Sequence, residues 1–275
     1  MGLFSRLPSS LLALLSCVLL CVVTHNSSAG LVSHNFYAPG TNEADNDLHD
    51  DHLHEGEFVT GPTTPGKWGL PTHGSSCGVV TWSIATANYP SEVDFVPIVP
   101  LSTFMPAGFK AQIERAFDAW SSVADITFVE VADSNAPFNS AAGAEGDIRI
   151  GGRVFDGPSG TLARAFFPPV NGTTAAGDIH FDVAEDWKIG FGGPGFDIFQ
   201  VAAHEIGHSI GLDHTPAADA LMNAIYTESF EGPQHDDIAG AISLCGAAAV
   251  PEPSPILLLL TTIVGLSMFK WLRRS

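Results

Sequence analysis

The fold of this chain is decided by the stretch His204-Glu205-Ile206-Gly207-His208-Ser209-Ile210-Gly211-Leu212-Asp213-His214. His204 and His208 are four residues apart, so a helix carries both imidazoles on one face, where they can bind one metal ion. Glu205 lies beside them and can accept a proton from a water molecule. Gly211 allows the helix to end abruptly, because glycine adopts a positive φ without steric cost, and His214 can then return as a third ligand. Three histidines plus an exchangeable water are typical of a catalytic zinc site rather than a structural one.

An amphipathic helix with histidines on its polar face is the alternative interpretation. It does not explain why glycine stands at position 211, where a third ligand requires a turn. We therefore expect a metal centre.

A second landmark follows closely, at residues 220–226. Here the chain resembles the metzincins, zinc peptidases in which a methionine packs beneath the three histidines. Met222 matches that methionine, although an ordinary core methionine filling a gap is a compatible interpretation. The family's turn often has proline where this chain has Ala224. The resemblance implies that the outer wall of an S1′ pocket is formed by Ala224, Ile225 and Tyr226.

The N-terminal end has the composition of a sorting signal. Residues 1–29 combine Arg6, an apolar run at residues 11–23 and a small-residue cleavage site at residues 27–29. This pattern predicts a secretory signal peptide. A lipoprotein signal at Cys17 is the alternative.

The C-terminal end, residues 248–275, resembles the PEP-CTERM sorting signal of Gram-negative bacteria. It has Pro-Glu-Pro at residues 251–253, a short apolar run at residues 256–269 and a basic tail. The resemblance implies export by the general secretory route, a transient transmembrane anchor and processing by an exosortase. The protein would then reside in the cell envelope or outside the cell. A plain C-terminal membrane anchor is the alternative.

The charge balance is strongly acidic, with 30 acidic and 11 basic residues and a net charge of −19. Such a surface repels nucleic acid and anionic membranes, so neither is expected as a partner. It suits calcium binding and an extracellular setting.

Between the signal peptide and the globular part, residues 30–65 are acidic, rich in Asn, Asp, Gly, Thr and Pro, and without apolar periodicity. They predict a disordered linker. The histidines and acids at residues 49–54 could bind a metal weakly, and a solvated tract is the alternative. No device that holds activity off is evident in the linker.

Residues 66–247 have the patterning of one α+β domain. Apolar residues recur at helical spacing over residues 107–123, and Asp197 is expected to cap a helix at residues 198–212. A last helix is expected to open at Asp236 or Asp237. The short strand candidates are residues 79–84, 126–131, 147–150, 162–167 and 178–182. The expected architecture is a mixed twisted sheet, two helices above the cleft and a small C-terminal helical lobe below it.

Two segments, residues 155–166 and 177–182, narrow the resemblance to the matrixins, the matrix metalloproteinase catalytic-domain family. It implies a structural calcium site, and a turn with solvated acids is the alternative. The implied calcium ligands are the carboxylates of Asp156, Asp182 and Glu185 and the carbonyls of Gly157, Ser159 and Thr161. Asp178 matches a residue of a second calcium site. The implied peptide-binding residues are Leu162 and Ala163 on the upper rim and Gln200 near the S1′ pocket.

One departure from the matrixin pattern concerns their second, structural zinc, which three histidines and an aspartate hold. Only His180 of that set remains, and Arg164 stands where another histidine is expected. Residues 151–153 lack the expected His-Gly-Asp segment. Arginine offers no lone pair to a metal. We therefore predict one zinc ion and no second structural zinc.

Two cysteines, Cys77 and Cys245, remain once the signal peptide is removed. An even pair in an exported protein is typical of a disulfide, and the two segments lie near each other in the resembled fold. The alternative is a cysteine switch, because Cys77-Gly78-Val79 is similar to the matrixin pro-segment cysteine that caps zinc.

The expected function is a zinc-dependent endopeptidase acting on proteins or peptides, with Glu205 as general base and a monomeric state. Two alternatives stay open. One is a catalytically silent module of the same fold that binds zinc and calcium at a surface or in a matrix. The other is a structural metal-binding protein of the cell envelope with an incidental zinc.

Overall fold

The structure, a computed structural model, describes residues 33–40, 66–91, 96–139, 146–168 and 174–249. All of them belong to one compact unit. The predicted signal peptide, most of the predicted linker and nearly all of the predicted PEP-CTERM segment lie outside these residues. Among the helices that the structure describes, none is long and apolar enough to cross a membrane.

A mixed six-stranded sheet with the order β1-β5-β6-β4-β2-β3 forms one layer. Its strands are β1 (Ser33–Tyr37), β2 (Gly78–Ile84), β3 (Ile126–Glu130), β4 (Ile148–Arg153), β5 (Thr161–Phe166) and β6 (Ile179–Asp182). Strands β3, β2, β4 and β6 are parallel to one another. Strand β5 runs antiparallel to β6, and β1 runs antiparallel to β5. Two short strands, β7 (Trp187–Lys188) and β8 (Phe196–Asp197), form a separate pair.

The described helices are α1 (Phe109–Ser121), α2 (Ile198–Ile210) and α3 (His235–Cys245), with a 3-10 turn at Leu101–Thr103. Helix α1 buries an apolar stripe at the predicted helical spacing, formed by Ile113, Ala116, Phe117 and Trp120. Every residue of α2 is buried. Trp120 joins the two helices, because its indole N–H donates to the carbonyl of Ala203 over 2.8 Å. Helix α2, which carries His204 and His208, is therefore packed against other residues on every face. The expected α+β architecture is confirmed.

One prediction was wrong. Residues 33–37 fall inside the segment predicted to be a disordered linker, but they form β1 and pair with β5. The pair Phe36 and Tyr37 is buried, at 1% and 0% exposure. The strand forms because β5 would otherwise present unpaired backbone groups at the sheet edge, and an extended segment can satisfy them. No local pattern in the sequence signals this pairing.

Candidate metal centre

Helix α2 begins after Asp197 and ends at Gly211, the residues that the sequence predicted as its start and its exit. The Asp197 carboxylate accepts a 2.9 Å hydrogen bond from the Gln200 N–H, which satisfies one of the free donors of the first turn. Gly211 ends the helix at φ 111°, and its N–H donates to the His208 carbonyl. A Cβ there would lie 2.5 Å from the Gly66 carbonyl oxygen, so a larger residue would be excluded by contact as well as by backbone conformation. This exit directs His214 back toward the helix.

The three motif histidines converge through their Nε2 atoms. These atoms are 3.1 Å apart between His204 and His208, 3.2 Å between His208 and His214, and 3.3 Å between His204 and His214. A tetrahedral zinc ion with Zn–N bonds of about 2.0–2.1 Å separates its nitrogen ligands by about 3.3 Å. The spacing therefore fits one zinc ion.

Backbone carbonyls set the tautomers of the two helical histidines. His204 Nδ1 lies 2.7 Å from the Leu221 carbonyl oxygen, and His208 Nδ1 lies 2.7 Å from the Leu212 carbonyl oxygen. A carbonyl can only accept, so both Nδ1 atoms must carry the hydrogen. Each neutral ring then presents the Nε2 lone pair that a metal needs.

Electrostatics also keep these rings neutral. Burial, followed by the neighbouring histidines, lowers the pKa of both His204 and His208 well below the usual histidine value. A metal ion would therefore meet lone pairs rather than protons at neutral pH.

Glu205 is fully buried, and neither of its carboxylate oxygens has a hydrogen-bond partner among the described residues. Burial raises its pKa well above the usual range, against a smaller lowering by the charge of Arg164. Buried polar groups are rarely left unpaired in proteins. A carboxylate of raised basicity beside three convergent imidazoles has the properties of a general base.

Met222 lies against the motif helix from below. A Cβ added at Gly207 would be 2.3 Å from the Met222 sulfur, so the sulfur lies directly over this glycine. The turn that carries the methionine is held by Asp237, whose carboxylate accepts the backbone N–H groups of Leu221 and Met222 over 2.8 and 3.0 Å. The turn that places Met222 beneath the histidines is thus hydrogen-bonded to α3.

The residues predicted for the substrate cleft lie in β5, in α2 and in the segment that follows Met222. Leu162 and Ala163 lie in β5 and are fully buried. The Ala224 carbonyl accepts the Tyr37 N–H over 3.1 Å, the Tyr226 N–H donates to the Tyr37 carbonyl over 2.9 Å, and the Tyr226 hydroxyl accepts the Asp197 N–H over 2.9 Å. Ile225 between them is half-buried. Gln200 is buried in α2 and donates through its side chain to the Thr227 carbonyl.

The predicted calcium-binding carboxylates of Asp156, Asp182 and Glu185 are close enough to interact electrostatically. The loop before β5 turns through positive φ at Gly157 and Ser159, and Glu185 accepts the Ser159 N–H over 2.7 Å. Both Asp156 oxygens accept the Thr161 N–H over 3.0 Å. Asp182 is fully buried, and its Oδ2 has no partner in the described part of the chain. Burial first, and then the nearby carboxylates, raise the pKa of Asp182 and Glu185.

His180 and Arg164 stand opposite each other on neighbouring strands, as register partners of β6 and β5. The His180 ring lies edge-on to Phe138 and Phe166, with centroids 4.8 and 5.8 Å away. Arg164 donates through Nε to the Asn35 side-chain oxygen over 2.6 Å.

The predicted cysteine pair is joined in the structure. Cys77 and Cys245 form a disulfide that ties the start of β2 to the end of α3. The Cys77 sulfur is consequently not free to act as a metal-capping switch.

Sequence reasoning missed the residues of β1. His34 Nδ1 lies 3.3 Å from an Asp213 carboxylate oxygen, and His34 offers a donor atom within 4.8 Å of donors on His208 and His214. The Phe36 ring stacks on His204 with centroids 3.8 Å apart. No motif marked these residues, because their role depends on a contact between distant parts of the chain.

The mixed sheet, the two-histidine helix and the methionine turn define a metzincin-type α+β fold. The family model described as Matrixin matches residues 98–246. This chain belongs to the matrixin family.

Several curated relatives are similar over about half of this chain. Stromelysin-3 of Mus musculus is 43% identical over 148 residues, which are 52% of this chain and 28% of the relative. Interstitial collagenase of Sus scrofa is 41% identical over 145 residues, 52% of this chain and 29% of the relative. Karilysin of Tannerella forsythia is 39% identical over 137 residues, 49% and 28% of the two chains. The chain thus spans less than a third of the length of these relatives.

Proposed function

We propose that this protein is an exported, zinc-dependent endopeptidase. The observation that carries the proposal is the convergence of three histidine Nε2 atoms at 3.1–3.3 Å beside the buried, unpartnered carboxylate of Glu205. Membership of the matrixin family supports the same activity.

The chain's own residues supply the protein side of the chemistry. His204, His208 and His214 would hold one zinc ion. When bound, zinc lowers the pKa of water and polarises a carbonyl group. Glu205 accepts the proton of the attacking water and later delivers it to the amine that leaves. Its raised pKa suits the first step, because a more basic carboxylate takes the proton more readily.

A peptide substrate would lie extended between the two rims of the cleft. The backbone of β5 at Leu162 and Ala163 would pair with it on one side, and the backbone at Ala224 and Tyr226 on the other. Pairing to both rims would fix the scissile bond over the histidines, and proximity of this kind accounts for a large part of enzymatic rate enhancement. The substrate side chain that lies beside His204 would enter the S1′ pocket, so the pocket would select the residue at that position of the substrate.

We also propose a structural calcium ion at Asp156, Asp182 and Glu185. The support is the buried Asp182 oxygen without a partner among the described residues and the raised pKa of Asp182 and Glu185, caused first by burial and further by neighbouring carboxylates, because a cation would relieve both. Backbone carbonyls of the Gly157–Thr161 loop are the remaining ligands that the resemblance implies. A second structural zinc is not part of the proposal, since Arg164 offers no ligand.

The predicted sorting signals remain proposals. Residues 1–29 would direct secretion, and residues 248–275 would anchor the protein transiently before exosortase processing. The protein would act as a monomer on protein or peptide substrates at the cell envelope or outside the cell, and the acidic charge disfavours nucleic acid.

The test of the central proposal is hydrolysis of a quenched-fluorescent peptide library by the purified protein and its Glu205→Ala variant, with zinc counted by elemental analysis. We expect turnover in the parent, at least about a hundredfold less in the variant, and one zinc per chain in both. Zinc in both proteins with no turnover in either would favour the catalytically silent module instead.

A further inference from the structure

Arg164 lies in β5, the strand that forms one rim of the proposed peptide cleft. It stands between Ala163 and Ala165, and its side chain is half-buried, whereas every other residue of the strand is buried. The resemblance leads us to expect a zinc-binding histidine at this position, a role that arginine cannot take because it has no lone pair to offer. This rim therefore presents a partly accessible cation, whose charge a ligand can reach.

The positive charge of Arg164 lies near the proposed reacting centre. Burial raises the pKa of Glu205, and the charge of Arg164 opposes this rise, so the guanidinium is within electrostatic reach of the general base. The guanidinium carbon of Arg164 also lies 5.0 Å from the centroid of the Phe155 ring, and that of Arg153 lies 5.6 Å from the same centroid. The two arginines concentrate positive charge beside one ring, in a chain whose net charge is −19.

The pairing of β5 shows which residue of an extended peptide meets Arg164. Asn35 is its register partner, and residues that are directly opposite in an antiparallel pair project to the same face. Arg164 Nε accordingly donates to the Asn35 side-chain oxygen over 2.6 Å. The next residue, Phe36, projects to the other face, where its ring stacks on His204 with centroids 3.8 Å apart. A peptide in this register presents to Arg164 the residue just before the one that lies beside His204.

The chemistry of arginine decides which side chain this contact favours. A guanidinium only donates hydrogen bonds, so it needs an acceptor on the peptide. A carboxylate forms a charge-assisted hydrogen bond that is about twice as strong as a neutral one, whereas an apolar side chain offers no acceptor and a lysine is repelled. The acidic surface of the whole protein disfavours acidic peptides, so a preference for them has to come from a local cation.

We propose that Arg164 is a specificity-determining residue that selects an acidic side chain at the substrate position just before the scissile bond. This inference rests on the proposed peptidase function and names a substrate class for that same site. The residue after the scissile bond lies beside His204, and the residue before it lies opposite Arg164. Arg164 takes no part in bond cleavage, and its contact with the acidic side chain helps to fix the register of the peptide over the histidines.

The experiment compares quenched peptides of the sequence Ala-Ala-Xaa-Phe-Tyr-Ala, in which Xaa is Asp, Asn, Leu or Lys. The readout is the ratio of kcat/KM values on the full chain, because anything else that occupies the cleft affects all peptides equally and cancels in the ratio. We expect the Asp peptide to be cleaved at least about tenfold more efficiently than the Leu peptide, with Asn between them and Lys last. Mass spectrometry should place the cleavage between Xaa and Phe. Equal efficiencies, or cleavage of the Asp peptide only at another bond, would overturn the inference.

Substitutions of Arg164 assign the preference to this residue. Arg164→Gln should reduce the Asp-over-Leu ratio to within about twofold, and Arg164→Lys, which keeps the charge but not the planar fork, should retain about threefold or more. Arg164→Glu should prefer the Lys peptide to the Asp peptide. The matched control is Lys110→Gln, which changes the net charge equally at an exposed residue of α1 and should keep the full ratio.

The ratios also separate specificity from a structural role. A variant that only disturbs the fold lowers the turnover of all peptides together and leaves their ratios unchanged. An Asp-over-Leu ratio that is unchanged in Arg164→Gln, or that falls equally in Lys110→Gln, would therefore overturn the inference.

Binding without turnover separates this inference from the proposed function. The full chain carrying Glu205→Ala is titrated with a fluorescently labelled Asp peptide, and the other peptides compete with it. Tighter binding of the Asp peptide than of the Leu peptide that is lost with Arg164→Gln, but with no hydrolysis in any chain that keeps Glu205, would refute the peptidase while the acidic subsite stands. Hydrolysis of all the peptides with equal efficiency would refute the subsite while the peptidase stands.

Discussion

The sulfur of Met222 lies directly over Gly207, so that a Cβ placed on this glycine would be 2.3 Å from the sulfur atom. A side chain there would also meet the Trp120 ring at 3.0 Å. The glycine in the middle of α2 is thus required by packing rather than by backbone conformation. The close approach holds the helix that carries His204 and His208 against the methionine turn.

Gly207→Ala should therefore destabilise the protein, although alanine is the better helix former. We expect a loss of about 1–3 kcal/mol in the free energy of unfolding, as is typical when a methyl group is forced into a packed core. Urea denaturation followed by fluorescence measures it. In a Met222→Ala background the added methyl should cost less, since the closest atom is gone, and a double-mutant cycle quantifies the coupling. Equal costs in the two backgrounds would show that Met222 is not the obstacle.

The disulfide between Cys77 and Cys245 closes a loop with a sequence separation of 168 residues and joins β2 to α3. Replacing both cysteines with alanine should lower the free energy of unfolding by about 2–5 kcal/mol, since native disulfides restrict the unfolded chain. The wild-type protein denatured in the presence of a reductant is the control and should match the double variant. A reductant that leaves wild-type stability unchanged would contradict the prediction.

Asp237 connects α3 to the methionine turn, and its carboxylate accepts N–H groups from Leu221, Met222 and Gln234. Asp237→Asn keeps the shape but replaces one acceptor oxygen by an NH₂ group. At least one buried N–H then loses its partner. We expect a loss of about 1–3 kcal/mol in stability, measured by thermal or urea denaturation.

The stability difference between wild type and Asp237→Asn should also depend on pH. Burial, partly offset by the backbone hydrogen bonds and increased by the nearby Asp236, raises the pKa of Asp237. The folded state therefore binds this proton at higher pH than the unfolded state does. Its contribution to stability is complete below the unfolded value of about 3.9 and is lost as the pH rises through the folded value. The stability difference between wild type and Asp237→Asn should thus widen as the pH falls from 7. A difference that narrows would contradict this assignment.

Removal of calcium tests the proposed site at Asp156, Asp182 and Glu185. A bound cation stabilises the folded state in proportion to the logarithm of its concentration over its dissociation constant. The melting temperature should therefore rise with added calcium after treatment with a calcium-selective chelator. Asp182→Asn should abolish most of that rise, whereas Asp219→Asn, at an exposed acid outside the cluster, should preserve it. Identical melting curves with and without calcium would count against the site.

The parts of the site that were predictable from sequence are local. The spacing of His204 and His208, the cap at Asp197 and the exit at Gly211 all depend on helix geometry within one turn or two. Such features follow from periodicity and from the conformational freedom of glycine. The corresponding helix and its ends accordingly agree with the sequence prediction to within two residues.

What sequence reasoning missed depends on contacts between distant segments. Residues 33–37 have no strand pattern of their own, and they become a strand only because the edge of β5 offers hydrogen-bonding partners. The role of Asp237 was predicted only as a helix start, since nothing local indicates that its carboxylate also holds the turn at Met222. In both cases the stabilising contacts join segments that are far apart in the sequence, so the periodicity of the local sequence does not predict them.

We expect peptide hydrolysis to require one zinc ion held by His204, His208 and His214. The most direct measurement is to strip the protein with a zinc chelator, remove the chelator and follow turnover of a quenched peptide as zinc is added back. We expect no turnover in the stripped protein and recovery that saturates at about one zinc per chain. Full turnover after verified metal removal, or recovery that requires two zinc ions per chain, would contradict it.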